Sequence, residues 1–217
     1  MSEEFHPRRD PFGRRLRIDR PSQPSPKGSW DDPQATAVFI PDGEAPDALH
    51  GVPMRPWKWS ENQARQAFTL EDRSDDPPFD RPASLRGSAG VVCVEPDDRV
   101  WLVHPSNAFG GYVWTFPKGR RERRDSLRGT AVKEALEESG LYVEPCRFLV
   151  DCRRSTTYSR YYLARRLGGT PVAMCWESQA VCLVPRSEIR RLVTSYYDQV
   201  IVDAIESLSG TGSELWR

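Results

Sequence analysis

The chain is 217 residues long, carries 31 Lys+Arg against 31 Asp+Glu, and is 38% hydrophobic. That length holds one domain with a substantial core plus additional sequence. A formal net charge of zero excludes a generally basic, nucleic-acid-coating protein, and a nucleic-acid partner is not indicated. The cations are nearly all arginine, the side chain suited to planar bidentate contacts with phosphate or carboxylate.

The five cysteines form no CxxC pair, which argues against a zinc site and for free thiols in a reducing compartment. The start, MSEEFHPRRDPFGRR, has no apolar run, and no stretch reaches the length of a membrane span. The reading is a soluble cytoplasmic protein without a membrane partner.

In chain order, residues 1–34 are rich in Pro, Ser, Arg and Asp and read as disordered. A segment at about 35–70 carries Phe39, Ile40, Trp57, Trp59 and Phe68. It reads either as an arm packed on the main domain or as a docking segment for a protein partner. Residues 71–84 read as a linker, so residues 1–85 form an extension and 86–217 the principal domain. "SAGVVCVE" (88–95) and "RVWLVHPS" (99–106) read as a hairpin around the turn "PDD". "GYVWTF" (111–116) is a further strand. "CRFLVDCRR" (146–154) and "RYYLARRL" (160–167) make a second hairpin, and "QAVCLVP" (179–185) a last strand. "RSEIRRLV" and "DQVIVDAIESL" are helical by apolar spacing, the latter with Val200, Ile201, Ala204, Ile205 and Leu208 on one face. The fold class is α+β, a mixed sheet flanked by helices, with a largely irregular N-terminal extension.

The stretch from Gly119 to Leu141 holds Glu134, Glu137 and Glu138 within five positions. Asp125 or Ser126 caps a helix there and Gly140 ends it. At 3.6 residues per turn the three carboxylates share an arc of about 100°, while Val132, Ala135 and Leu136 face a core. Like charges so placed repel unless a hard divalent cation converts the repulsion into coordination. A plain solvated acidic face remains the competing reading at this point.

The string G-x5-D-x7-K-E-A-x-E-E-x-G-L resembles the Nudix box of the MutT-like phosphohydrolases, G-x5-E-x7-R-E-U-x-E-E-x-G-U. Gly119, Glu134, Ala135, Glu137, Glu138, Gly140 and Leu141 match in register, and the resemblance covers roughly residues 86–208. It implies a Nudix fold and an α/β/α sandwich. It implies Mg²⁺ or Mn²⁺ held by Glu134, Glu137, Glu138 and the Gly119 carbonyl, with these glutamates catalytic. It also implies hydrolysis of a pyrophosphate bond in a nucleoside diphosphate linked to another group. The general base is open among Glu137, Glu138 and a later residue such as Glu177, which otherwise reads as a loop glutamate. Two positions depart from the pattern. Asp125 and Lys133 stand where the family has Glu and Arg, residues that orient the ligating glutamates.

"WTFPKG" before the box looks like the branch acting on dinucleoside polyphosphates, a small-molecule nucleotide substrate class. Lys118 and Arg120 flank the box glycine as candidates for substrate phosphates, and Tyr158 is a candidate for stacking on a base. Arg153, Arg154 and Arg160 bracket the same turn as candidates for distal phosphates. The alternative function is a catalytically weak or inactive Nudix-fold nucleotide-binding module acting through its N-terminal arm. A third is a partner-docking protein in which "HGVPMRPWKW" is the working segment.

Overall fold

The computed structural model describes residues 4–18, 23–41, 43–58, 72–73, 75–106 and 113–216. Strand β1 (Ala37–Phe39) and the short pair β2 (Ala48–Leu49) and β3 (Val52–Pro53) come from the extension. The domain proper supplies β4 (Arg86–Cys93), β5 (Arg99–Pro105), β6 (Lys118–Arg120), β7 (Leu141–Arg153), β8 (Thr157–Gly169) and β9 (Ser178–Pro185). Its helices are α1 (Leu127–Ser139), α2 (Ile189–Leu192) and α3 (Gln199–Glu206). One sheet has the order β6-β4-β8-β7, with β4 and β8 parallel, and a second has the order β1-β9-β5.

The expected hairpin at 88–106 turns as its sequence demands, with Asp98 at φ 69° and Glu95 N–H donating to the Arg99 carbonyl at 2.8 Å. Its strands then separate after the single bridge Val94↔Val100, and β4 and β5 join different sheets. Both strands are buried almost end to end, so each needs apolar cover on both faces. Alternation supplies it. Ala89, Val91, Cys93, Trp101 and Val103 meet Leu127, Ala131, Val132 and Ala135 of α1 in one core. Val92, Val94, Val100 and Leu102 meet Ile201, Val202 and Ile205 of α3 in another. The three-layer α+β sandwich follows, with α1 on one side and α3 on the other.

The second hairpin is longer than its apolar runs suggest. β7 and β8 pair from Leu141↔Gly169 to Arg153↔Tyr158, with register irregularities that include one between Pro145 and Arg147. Proline has no N–H to give the ladder and is tolerated at such a bulge. The expected strand 111–116 begins outside the described residues; Thr115 makes a two-bond bridge with Val103.

The late helices differ from their pattern. In α3, Ile201, Val202 and Ile205 are buried and Val200 is exposed. The turn before it buries Asp198 against Thr115 Oγ1 (2.9 Å) and Arg154, which sets the rotation of the helix. "RSEIRRLV" splits into a 3-10 turn at Arg186–Glu188 and the single turn α2.

The extension departs most from its composition. Residues 4–18 close on themselves, with His6 N–H donating to the Leu16 carbonyl (2.8 Å) and Asp10 capping a turn to Phe12 and Arg14. Trp30 is 1% exposed, and its ring lies 6.0 Å from that of Trp101. Fully buried Arg99 donates to the Ser29 carbonyl at 2.9 Å and to that of Trp30. β1 extends the second sheet, Ala37 opposite Leu183 and Phe39 opposite Val181. Disorder, the expectation for residues 1–34, therefore does not describe residues 4–18 and 23–34. Trp57 packs on Tyr142 at 4.3 Å between ring centroids, while Trp59 and Phe68 lie outside the described residues. Among the described residues no helix is long and apolar enough to cross a membrane. All five cysteines are free thiols.

Candidate active site

α1 starts where Ser126 Oγ accepts the Gly129 N–H at 2.8 Å, so Ser126 rather than Asp125 is the cap. It stops at Gly140, whose φ of 73° is left-handed. A Cβ there would lie 2.2 Å from the Thr170 carbonyl oxygen, which leaves no room for another residue. Val132 and Ala135 are buried as expected, and Leu136 is half-buried. The opposite face presents the glutamates.

Glu134, Glu138 and Glu177 each bring a carboxylate oxygen into one group, all within 4.8 Å of one another. Gly119 lies directly beneath. A Cβ built on it would sit 2.0 Å from Glu134 Cδ, so the Glu134 carboxyl occupies space that only glycine leaves free. Glu138 Oε2 accepts the backbone N–H of Lys118 at 2.8 Å. Glu177 reaches the group through tertiary bonds on its loop. Cys175 N–H donates to the Glu137 carbonyl (2.7 Å), and Ser106 binds the Glu177 and Trp176 carbonyls at 2.8 and 2.7 Å. Glu137 is half-buried beside this trio but is not part of it.

The site is electrostatically strained. Burial, then the charges of Glu138, Glu137 and Glu177, push the Glu134 carboxyl up to about 8. Burial pushes Glu138 up to about 7 against the opposing Lys118 cation and N–H bond, and raises Glu137 as well. Glu134 and Glu138 therefore hold protons near neutral pH where a cation would serve instead. The donor set is hard carboxylate oxygen on a scale comparable with the roughly 4.2 Å between opposite ligands of an octahedral Mg²⁺. The residues fit a hard divalent ion.

The remaining candidates divide. Lys118 is half-buried and Arg120 exposed on β6, with Arg120 opposite Ser88. Lys133 Nζ pairs with Glu122 Oε1 at 2.6 Å, a partner that the box pattern does not contain. Asp125 accepts the Arg121 Nε–H through its backbone carbonyl at 2.7 Å. Tyr158 is half-buried with its ring 5.4 Å from Phe79. Arg154, expected to meet phosphate, is 5% exposed and bound to buried Asp198 and to Tyr161 Oη (2.9 Å). Arg160 is likewise held by Asp151 at 2.7 Å, and Tyr161 and Tyr162 are fully buried. Arg160 and Asp151 meet across the β7–β8 hairpin, whereas Arg154–Asp198 and Tyr158–Phe79 join residues distant in sequence, which no local pattern announces. Glu177 is the member of the trio that the box spacing does not contain.

A family model described as "NUDIX domain" matches residues 84–202. RNA pyrophosphohydrolase of Caulobacter vibrioides strain NA1000 / CB15N is 38% identical over 56 residues, 26% of this chain and 33% of that protein. The same values hold for the protein of strain ATCC 19089, so the chain spans about a third of the length of these curated relatives. A NUDIX hydrolase structure from Nitrosomonas europaea is 22% identical, covering 58% of this chain and 72% of that one, with a TM-score of 0.49. An ADP-ribose pyrophosphatase structure from Streptococcus suis is 23% identical, covering 59% and 96%, with a TM-score of 0.46. With the family model spanning more than half of its length, and the glutamates of α1 converging over Gly119, this chain belongs to the Nudix family.

Proposed function

We propose that this chain is a metal-dependent pyrophosphohydrolase that cleaves a phosphoric anhydride bond in a nucleoside diphosphate linked to another group. A dinucleoside polyphosphate or related nucleotide is the substrate class. The observation that carries the reading is the convergence of Glu134, Glu138 and Glu177 over the side-chain-free Gly119.

Glu134 and Glu138 would hold Mg²⁺ or Mn²⁺, with the Gly119 carbonyl and either Glu177 or the adjacent Glu137 completing the set. Such an ion supplies neutralisation of phosphate oxygens and a lowered pKa for attacking water. The Lys118 N–H keeps Glu138 oriented toward the group. Glu177, the exposed member of the trio, would accept a proton as a water oxygen attacks phosphorus and the anhydride P–O bond breaks. Lys118 and Arg120 stand beside the box glycine as donors to the phosphates. Asp125 and Lys133 act on the glutamates through charge and local structure rather than by touching substrate.

The test is a panel of dinucleoside polyphosphates, nucleotide sugars and nucleoside triphosphates with Mg²⁺ or Mn²⁺, followed by ³¹P NMR. An RNA substrate belongs in the panel because the Caulobacter relatives are named for that activity. Turnover of at least one member is expected. Silence on all of them, with no metal uptake on titration, would sink the reading.

A second reading, a nucleotide-binding module that signals through its arm, is favoured by one contact. Arg8 Nη1 lies 3.3 Å from Cys175 Sγ, next to the loop that bears Glu177. Metal-dependent nucleotide binding without turnover would select it.

A further inference from the structure

Buried arginine in this protein is matched to carboxylate. Arg166 meets Glu95, Arg128 meets Asp76, Arg154 meets Asp198 and Arg160 meets Asp151, all at buried or largely buried positions. At the surface, one cleft gathers arginines without such partners. It lies where the segment before β4 faces the loop that follows the box glycine, and it is lined by Arg81, Arg86, Arg120, Arg121 and Arg123. Its volume is about 610 Å³. None of the five guanidinium groups meets a carboxylate among the described residues. Arg81 donates to the Pro82 carbonyl at 3.2 Å and to that of Leu85, and Arg121 donates to the Asp125 carbonyl at 2.7 Å. These bonds aim two of the side chains without neutralising them. Among the described residues the one acid lining the cleft, Glu122, is taken by Lys133.

The five exposed guanidinium groups give this concavity a concentrated positive potential, to which an anion is complementary. The cleft is also tied to the candidate active site. Arg120 follows Gly119 directly, and Gly119 is the residue against which Glu134 packs. Arg121 N–H donates to the Gly87 carbonyl at 3.0 Å, fixing the loop to β4 between Arg86 and the sheet. Gly119 and Arg120 are successive residues of β6, so the acidic group and the arginine-lined cleft adjoin at that edge of the sheet.

We propose that this cleft binds a run of phosphates extending away from the anhydride bond to be cleaved, and so selects nucleotides with a long phosphate chain. The inference rests on the pyrophosphohydrolase reading for its orientation, but the binding of oligophosphate does not require turnover. Several guanidinium forks around one concavity suit chained phosphates better than a lone phosphate monoester.

The test titrates inorganic tripolyphosphate into the full chain in EDTA at low salt, by calorimetry. The double variant Arg86→Ala/Arg123→Ala, both exposed positions, is expected to bind at least about tenfold more weakly, with a shallower salt dependence. Glu134→Gln is expected to keep tripolyphosphate affinity while losing turnover. Equal affinity of the double variant and the parent would overturn the cleft. Weakened binding in the double variant, with no hydrolysis by the parent of any nucleotide, would retain the cleft and reject the pyrophosphohydrolase reading. KM values for diadenosine tetraphosphate and ADP-ribose then separate the substrates: the double variant should raise the first much more than the second. An equal rise for both would show that chain length is not what the cleft reads.

Discussion

The base of β8 and the outer face of α1 handle charge in opposite ways. At β8, Arg166 Nε meets Glu95 Oε1 at 2.6 Å, and the same carboxylate accepts Trp101 Nε1–H at 2.7 Å. Each charge there is buried and answered. On α1, Glu134 and Glu138 are drawn together with Glu177, and burial raises both helix carboxyls toward neutrality. Beside it, five arginines share a cleft and none has a carboxylate among the described residues. Charge that holds this fold together is paired inside the protein. Two adjoining regions concentrate charge of one sign each, carboxylates at one and guanidinium groups at the other, complementary to a cation and a phosphate chain.

The largest effects should come from breaking the unpaired region. Gly119→Ala forces a methyl into the Glu134 carboxyl, since the added Cβ would sit 2.0 Å from Cδ. Glu134→Gln removes the charge and keeps the shape. Each is expected to lower kcat by about 10³-fold or more, on the order of 4 kcal/mol in the barrier. Glu134→Gln should leave Tm unchanged or higher, because the parent carries a carboxylate that resists ionising. A variant with Tm several degrees lower and normal kcat would reverse the assignment of roles.

Breaking the paired region should do the converse. Glu95→Ala strands a buried guanidinium and an indole N–H, and such a loss costs about 3–5 kcal/mol. Urea unfolding should record that drop, with kcat per folded molecule little changed. A loss below about 1 kcal/mol would mean that Arg166 finds other partners, its bond to the Leu49 carbonyl at 2.9 Å among them.

A pH series sharpens the contrast. Glu134 and Glu138 titrate at about 8 and about 7 in the fold against a reference of 4.5. Between about pH 4.5 and 8 the folded state therefore binds more protons than the unfolded chain, and stability contributed by the protonated groups falls as pH rises. In EDTA, the parent should lose stability on the order of 4 kcal/mol relative to Glu134→Gln across that window. Mn²⁺ should restore Tm at pH 8 and have little effect at pH 5, where protons compete for the same oxygens. Parallel curves for parent and variant in EDTA would remove the electrostatic strain from the argument.

The legibility of these regions follows the reach of their contacts. α1, its stop at Gly140 and the inward face at Val132 and Ala135 are written in local spacing, which leaves the cap open between Asp125 and Ser126. So is the special role of Gly119, because the box sets its distance from Glu134 in sequence. Glu177 is legible as a candidate base but not as a member of the carboxylate group, since its loop is placed by bonds that join Ser106 to Glu177 and Cys175 to Glu137, 71 and 38 residues apart along the chain. Arg154 looked available for phosphate because its true partner, Asp198, comes 44 residues later. The extension misled in the same way. Pro and Arg around Trp30 suggest a chain that cannot collapse, yet the domain supplies Trp101 and Arg99 to receive it. The hairpin of β4 and β5 was legible as a turn, while its division between two sheets depends on strands much further on.

The smallest effect belongs to the pair that bridges the two regions, Lys133 and Glu122. Its acid end is largely in water, where ion pairs contribute little to stability. Glu122→Gln should leave Tm within about 2 °C of the parent. Its informative consequence is at the site. Lys133 opposes the rise in the carboxyl pKa of Glu134 and Glu137, and Glu122 adds negative charge beside Glu137. With Glu122 neutral, Lys133 serves the helix glutamates alone, so the acid limb of the pH–rate profile should move slightly lower while kcat at its plateau changes less than about threefold. An upward shift would contradict that sign. A tenfold fall in the plateau would instead make Lys133 a positioning residue that works only when Glu122 holds it.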